Sequence, residues 1–213
     1  MPLDFMTIAQ QCAPQIARTA MAALVRTESG FNPYAIGVVH GRLLRQPSNV
    51  VEAIATTRAL EANGWNFSVG LAQVNRANWI AYGLTEQNAF EPCRNVAVGA
   101  AILQRCFASA RRAQADTQTA LRASLSCYAS GNFSTGYRTG YVQRVVNNAR
   151  QPVLTFPISV PPIAPIPVLP VDSGISANSV RTHPMGRRPL RPDRDDASSD
   201  GQGGDSDSSA VVF

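Results

Sequence analysis

Lysine is absent from all 213 residues, so the nineteen cationic side chains are all arginine. Fourteen lie in residues 1–150 against seven acids, a charge of about +7, while residues 152–213 carry five against seven Asp, about −2. The basic balance therefore belongs to the first part of the chain. It suits a polyanionic partner, and nucleic acid or an anionic cell-wall polymer would both serve. Arg18, Arg26, Arg58, Arg76, Arg94, Arg105, Arg122, Arg138 and Arg144 are scattered, without a basic recognition helix or an aromatic RNA-binding signature, which argues against nucleic acid. Histidine is almost missing: His40 reads as a turn residue and His183 is its only company, so a histidine metal site is excluded and no cofactor is called for. No apolar run is long enough to span a membrane. The start, MPLDFMTIAQQCAP, has neither a basic n-region nor a continuous apolar h-region, so no secretory signal peptide is visible. Export then needs a start upstream or another route.

Four cysteines, Cys12, Cys93, Cys106 and Cys127, occur far apart and never as C-x-x-C, which speaks against zinc or thioredoxin chemistry. An even number on separate elements fits disulfides in an oxidising compartment, with three possible connectivities; four reduced core cysteines are the alternative. Composition divides the chain. Residues 1–150 read as one globular domain. Residues 151–171 include PVLTFPISVPPIAPIPVLP, whose seven prolines are expected to forbid helix and sheet ladders and to favour an extended polyproline II, semi-rigid spacer. Residues 172–213 are rich in Ser, Gly, Asp and Arg and are expected to be a disordered tail, ending in the apolar Val211, Val212 and Phe213.

Within the domain, Ile16, Ala20, Ala23, Leu24 and Thr27 recur at helical spacing, and Gly30 and Pro33 supply stop signals, so a helix is predicted from about Pro14 to Ser29. Glu28 follows Leu24 by four residues and Val25 by three, on the same apolar face. Partial desolvation and the negative end of the helix dipole both favour its protonated form. A general acid working at neutral pH needs such an environment. Ala35 to Gln46 predicts a short hairpin turning at His40 and Gly41; Asn49 and Glu52 form a capping box for a helix ending near Gly64, which gives Glu52 a structural role. Trp65 to Asn75 reads as strand or extended loop. Helices are expected at about Asn95–Arg112, Thr117–Ala129 and Gly140–Arg150, with Gly131 closing the second. The fold class is thus α+β, predominantly α-helical, with a small β element.

Four segments, taken in order, resemble the signatures of the goose-lysozyme-like soluble lytic transglycosylases: Glu28-Ser29-Gly30-Phe31-Asn32-Pro33, Gly70-Leu71-Ala72-Gln73-Val74-Asn75, NVAVGAAIL from Asn95 to Leu103, and Tyr128-Ala129-Ser130-Gly131-Asn132. With CAPQIA near the start and FEPCRN at 90–95, residues 5 to 150 resemble the lytic transglycosylase subunits of bacterial type IV secretion systems in particular. One position departs: the last motif usually reads Tyr-Asn-x-Gly, and Ala129 stands where that Asn would be.

The resemblance implies a lysozyme-like (goose-type) domain acting on peptidoglycan glycan strands in the periplasm or cell envelope, with Glu28 catalytic. Ser29, Phe31, Gln73, Asn75 and Tyr128 would be substrate-binding: Tyr128 bonding the Glu28 carboxyl or a substrate acetamide, Ser29 orienting the intermediate, Gln73 and Asn75 meeting sugar polar groups, Phe31 stacking on a pyranose ring. No second carboxylate occurs in the motifs, which fits the route closing a 1,6-anhydro ring better than ordinary hydrolysis. A hydrolysing muramidase, and a weakly active peptidoglycan-binding assembly factor, are the alternatives. Other secretion components are expected partners, through the C-terminal tail.

Overall fold

The computed structural model describes residues 4–151 and 167–170. Two N-terminal helices come first, α1 (Phe5–Cys12) and α2 (Arg18–Ser29). The sequence reading placed one helix from Pro14; instead Asp4 caps α1 by accepting from the Thr7 N–H at 3.0 Å, and residues 13–17 turn between the two, with Ile16 N–H bonded to Ala13 O. The C-terminus of α2 is where Gly30 predicted it. That residue adopts φ 58° and its N–H returns to Arg26 O.

A small antiparallel sheet follows, interrupted by α3 (Val50–Ala62): β1 (Ile36–Val38), β2 (Gly41–Leu43), β3 (Phe67–Val69) and β4 (Val74–Asn75). The β1–β2 turn runs through His40, at φ 56°. Asn49 caps α3 through the Glu52 N–H at 2.9 Å, as the capping box required. A 3-10 turn (Arg76–Asn78) and α4 (Trp79–Tyr82) lead to α5 (Pro92–Ala113), the longest helix described, started by Pro92 in its first turn. Then come α6 (Thr117–Ser130), α7 (Thr135–Arg138) and α8 (Tyr141–Asn148).

The last described strand, β5 (Val168–Pro170), corrects the expectation that proline forbids sheet pairing there. It lies antiparallel to β2 in register Gly41↔Pro170 and Leu43↔Val168, at the sheet's edge, giving the order β4-β3-β1-β2-β5. An edge position tolerates proline because one side of the strand needs no donor. The expected spacer over 152–166 and the tail 172–213 lie outside the described residues.

One apolar core joins α1, α2, the sheet, α5, α6 and α8; Met21, Leu24 and Val25 from α2 and Val96, Ala100 and Leu103 from α5 all belong to it. The cysteines pair as Cys12–Cys93, tying α1 to the start of α5, and Cys106–Cys127, tying α5 to α6. Each such cross-link is worth about 2–4 kcal/mol. Among the described residues no helix is long and apolar enough to cross a membrane. The whole is a lysozyme-like α+β arrangement, mostly helical with a small sheet.

Candidate active site

Glu28 closes the last turn of α2 with only 5 % of its surface accessible. Burial raises its pKa from 4.5 to about 8, against two smaller opposing effects: a hydrogen bond from Tyr141 and the positive charge of Arg144. The Tyr141 hydroxyl donates to Glu28 Oε1 from the first turn of α8. Burial and the neighbouring carboxyl push the phenols of Tyr128 and Tyr141 well above the usual tyrosine range, so both remain neutral donors. Asn148 Nδ2 donates to Thr27 Oγ1 at 2.9 Å, fastening α8 to α2 one residue before the acid.

The loop Gly70–Gln73 is gripped by the other motif residues. Ser29 Oγ lies 2.8 Å from Leu71 O and 3.1 Å from Val25 O, and Tyr128 Oη donates to Ala72 O at 2.5 Å. Asn95, fully buried on α5, accepts from Ala72 N–H at 2.7 Å and donates to Val69 O and Ala89 O. Gly99, one turn along α5, leaves no room for a side chain: a Cβ there would sit 2.5 Å from Ala72 Cβ and 3.0 Å from the Tyr128 hydroxyl. Gly70, at φ 77°, has the same constraint against Asn95. The Asn and Gly of NVAVGAAIL thus serve loop placement.

Gln73 holds φ 45°, uncommon for a side chain of its kind, and its Nε2 donates to Ala35 O and Gly70 O, both at 3.0 Å. Its Oε1 is buried and has no hydrogen-bond partner among the described residues. Asn75 Nδ2 donates to Asn66 and Ser68, while its Oδ1 accepts from Ala77 N–H. Phe31, at φ 68°, packs against Phe5 with centroids 5.1 Å apart, and the Arg26 guanidinium lies 5.5 Å from its ring centre.

The structure therefore brings Ser29, Gln73 and Tyr128 to one loop, with Glu28 beside Ser29 at the end of α2, but their bonding differs from the expectation. Tyr128 meets Ala72 O, and Tyr141 holds the carboxyl in its place. Tyr141 was missed. Its sequence signal was the buried stripe Tyr141, Val142 and Val145 on α8, which marks a core face without naming the carboxyl it meets. Ala129, the departure in the last motif, is buried and belongs to the core.

The other described acids are engaged elsewhere. Asp4 and Asp116 cap α1 and α6; Glu52, Glu61 and Glu86 pair with Arg45, Arg76 and Arg58; Glu91 is exposed at the start of α5. Glu28 is thus a desolvated carboxylic acid on a helix end, bonded by a neutral phenol, with no second carboxylate at hydrogen-bond distance among the described residues, a setting in which a carboxyl group can act as a general acid in a lysozyme-like fold.

Residues 5–148 match the Transglycosylase SLT domain, and the chain belongs to that family. It is 53 % identical over 167 residues to the type IV secretion system protein virB1 of Brucella suis, covering 76 % of this chain and 69 % of that protein. The Brucella abortus protein of the same name shows the same identity and coverage. Protein virB1 of Agrobacterium fabrum is 34 % identical over 149 residues, 70 % of this chain and 60 % of its own. No solved structure matches the chain.

Proposed function

We propose that the protein is a peptidoglycan lytic transglycosylase that cleaves the β-1,4 bond between N-acetylmuramic acid and N-acetylglucosamine. The observation that carries this reading is Glu28, a buried carboxyl with its pKa raised to about 8 and, among the described residues, no second carboxylate beside it. Glu28 gives its proton to the departing glycosidic oxygen as positive character develops at the muramoyl C1. The substrate's own acetamido oxygen supports that charge. Glu28, now a carboxylate, takes the proton from the C6 hydroxyl, whose oxygen bonds to C1; the 1,6-anhydro ring closes and the acid is regenerated. No water is consumed.

Ser29 and Tyr128 serve this site by fixing the Gly70–Gln73 loop. Gln73, with an unspent buried carbonyl, retains hydrogen-bonding capacity for an acetamido N–H. Phe31 would stack on a pyranose ring and Asn75 would meet sugar polar groups, the roles that the family resemblance implies. Local cell-wall opening in the periplasm for assembly of a type IV secretion system is the biological role that follows from this reading, and the name of the Brucella suis relative, a type IV secretion system protein, supports the secretion context. Other components of that apparatus would then be its partners.

The test is digestion of purified sacculi by the wild-type protein and Glu28→Gln, with mass spectrometry of the released muropeptides. Products one water lighter than the hydrolytic ones, lost in the variant, are expected. Hydrolytic masses from the wild type would make the protein a muramidase instead.

A further inference from the structure

Arg144 is the cationic group closest in effect to the acid, and its placement is specific. The side chain leaves α8 one turn after Tyr141 and folds back over the helix start. Its Nη1 donates to Thr139 O at 3.0 Å, and its guanidinium carbon lies 5.8 Å from the centre of the Tyr141 ring. Gly140, at φ 71°, sits directly beneath: a Cβ on it would be 3.7 Å from Nη1. Arg144 makes no ion pair among the described residues, and its one side-chain hydrogen bond there is to that carbonyl. A guanidinium held this way has donors and a full positive charge to spare, next to a phenol that bonds the Glu28 carboxyl.

The groups facing Glu28 can be enumerated by element. From α6 comes the neutral phenol of Tyr128, and from α8 come the neutral phenol of Tyr141 and the cation of Arg144. On α5, Gly99 packs on the Tyr128 hydroxyl and has no charge; the Leu71–Gln73 loop adds none. Among the described residues, Arg144 is thus the positive charge that acts on the carboxyl, and its guanidinium lies against the Tyr141 ring.

We infer that Arg144 is a positioning residue for the reaction: seated on Gly140 and Thr139, it holds the Tyr141 phenol on Glu28 and meets the negative charge that develops there as the proton leaves. The inference rests on Glu28 being the proton donor. In the first step the O–H bond of Glu28 breaks and its proton goes to the glycosidic oxygen, leaving a carboxylate in an apolar setting. That charge needs a counter-charge more than the resting acid does, so Arg144 favours the transition state over the ground state. In the second step the proton from the C6 hydroxyl returns and the demand ends. The guanidinium touches neither substrate nor product in this scheme. Its exposure to solvent weakens the attraction, so its effect is smaller than that of the acid itself.

The test compares wild type, Arg144→Gln and Arg144→Lys in two measurements. The first is the substrate-free titration of the Glu28 carboxyl by carbon NMR, with Glu28→Gln used to assign the signal. The second is the pH profile of sacculus cleavage. In Arg144→Gln the carboxyl should titrate at higher pH by roughly half a unit or more. The falling limb of activity should move the same way, and kcat should drop about three- to tenfold with little change in KM. Arg144→Lys should recover most of the titration shift, because it restores the charge. An unmoved titration and limb in Arg144→Gln would overturn the inference, as would a loss of activity carried by KM alone. If the wild type releases hydrolytic products, the transglycosylase reading fails; the carboxyl titration still decides the role of Arg144.

Discussion

Two buried carboxyl groups in one small domain have pKa values shifted in opposite directions, although burial raises both. Glu28 is raised to about 8, while Glu52, even less accessible at 1 %, is lowered to about 2. The difference is what each meets. Glu52 stands in the first turn of α3, where the helix dipole favours a negative charge, and its oxygens accept from Arg45, from the Ser48 N–H at 2.8 Å and from the Ser48 hydroxyl at 2.9 Å. Its partner Arg45 is 59 % exposed, so the pair lies just under the surface. Glu28 stands at the opposite end of a helix, where the dipole is unfavourable, with one phenol as its hydrogen-bond partner. Burial leaves a carboxyl's pKa raised only where nothing repays the lost hydration.

This contrast has consequences that can be broken one at a time. Glu28→Gln should lower turnover at least about a hundredfold, the usual range for losing a general acid, while the fold is kept; sacculus digestion rates check it. The same change should stabilise the protein at neutral pH by on the order of 1–3 kcal/mol, since it removes the cost of burying an ionisable group. Tyr141→Phe leaves the ring but removes the donor to Glu28. A loss of about tenfold in kcat is expected, with the falling limb of the pH profile moved upward because a hydrogen bond that lowers the pKa has gone.

Glu52→Gln should do the reverse of Glu28→Gln: destabilise by about 1–3 kcal/mol in thermal unfolding, with the specific activity of the folded fraction retained, because Arg45 and Ser48 lose the negative charge and one of the two oxygens they bond. Stability against pH separates the two groups further. Glu28 binds its proton more tightly folded than unfolded, so its contribution to stability is full below pH about 4.5 and is lost as pH rises through about 8. Glu52 binds its proton less tightly folded, so its contribution is present above about 4.5 and is lost as pH falls through about 2. The smallest effect is expected from truncation after Gln151, which removes the β5 edge pairing and should leave cleavage unchanged with only a slight drop in melting temperature.

Much of the acid's setting was legible in sequence because it is local. The spacing of Leu24, Val25 and Glu28 set the apolar face, Gly30 set the helix end, and Asn49 with Glu52 declared a cap; all three are relations within a few residues. The partners were not legible. Tyr141 reaches Glu28 across a separation of 113 residues, and Tyr128 meets Ala72 O across 56, so neither pairing leaves a periodic trace. Resemblance brought Ser29, Gln73 and Tyr128 to the site without saying that their donors face the backbone of one loop. The boundary between α1 and α2 was lost for another reason. Ile16 and Ala20 continue the apolar spacing through a turn, and the Asp4 cap of α1 lies before the stretch that drew attention. At Val168–Pro170 local propensity was overridden by an available sheet edge.

The pH dependence of sacculus cleavage by the wild-type protein tests the central claim most directly, since a neutral Glu28 at physiological pH is what separates this site from a solvated glutamate. Activity should hold through neutral pH and fall as pH rises through about 8, tracking deprotonation of the buried acid. A falling limb between pH 4 and 5, near the ordinary value of 4.5, or a rate that is flat into alkaline pH, would contradict it.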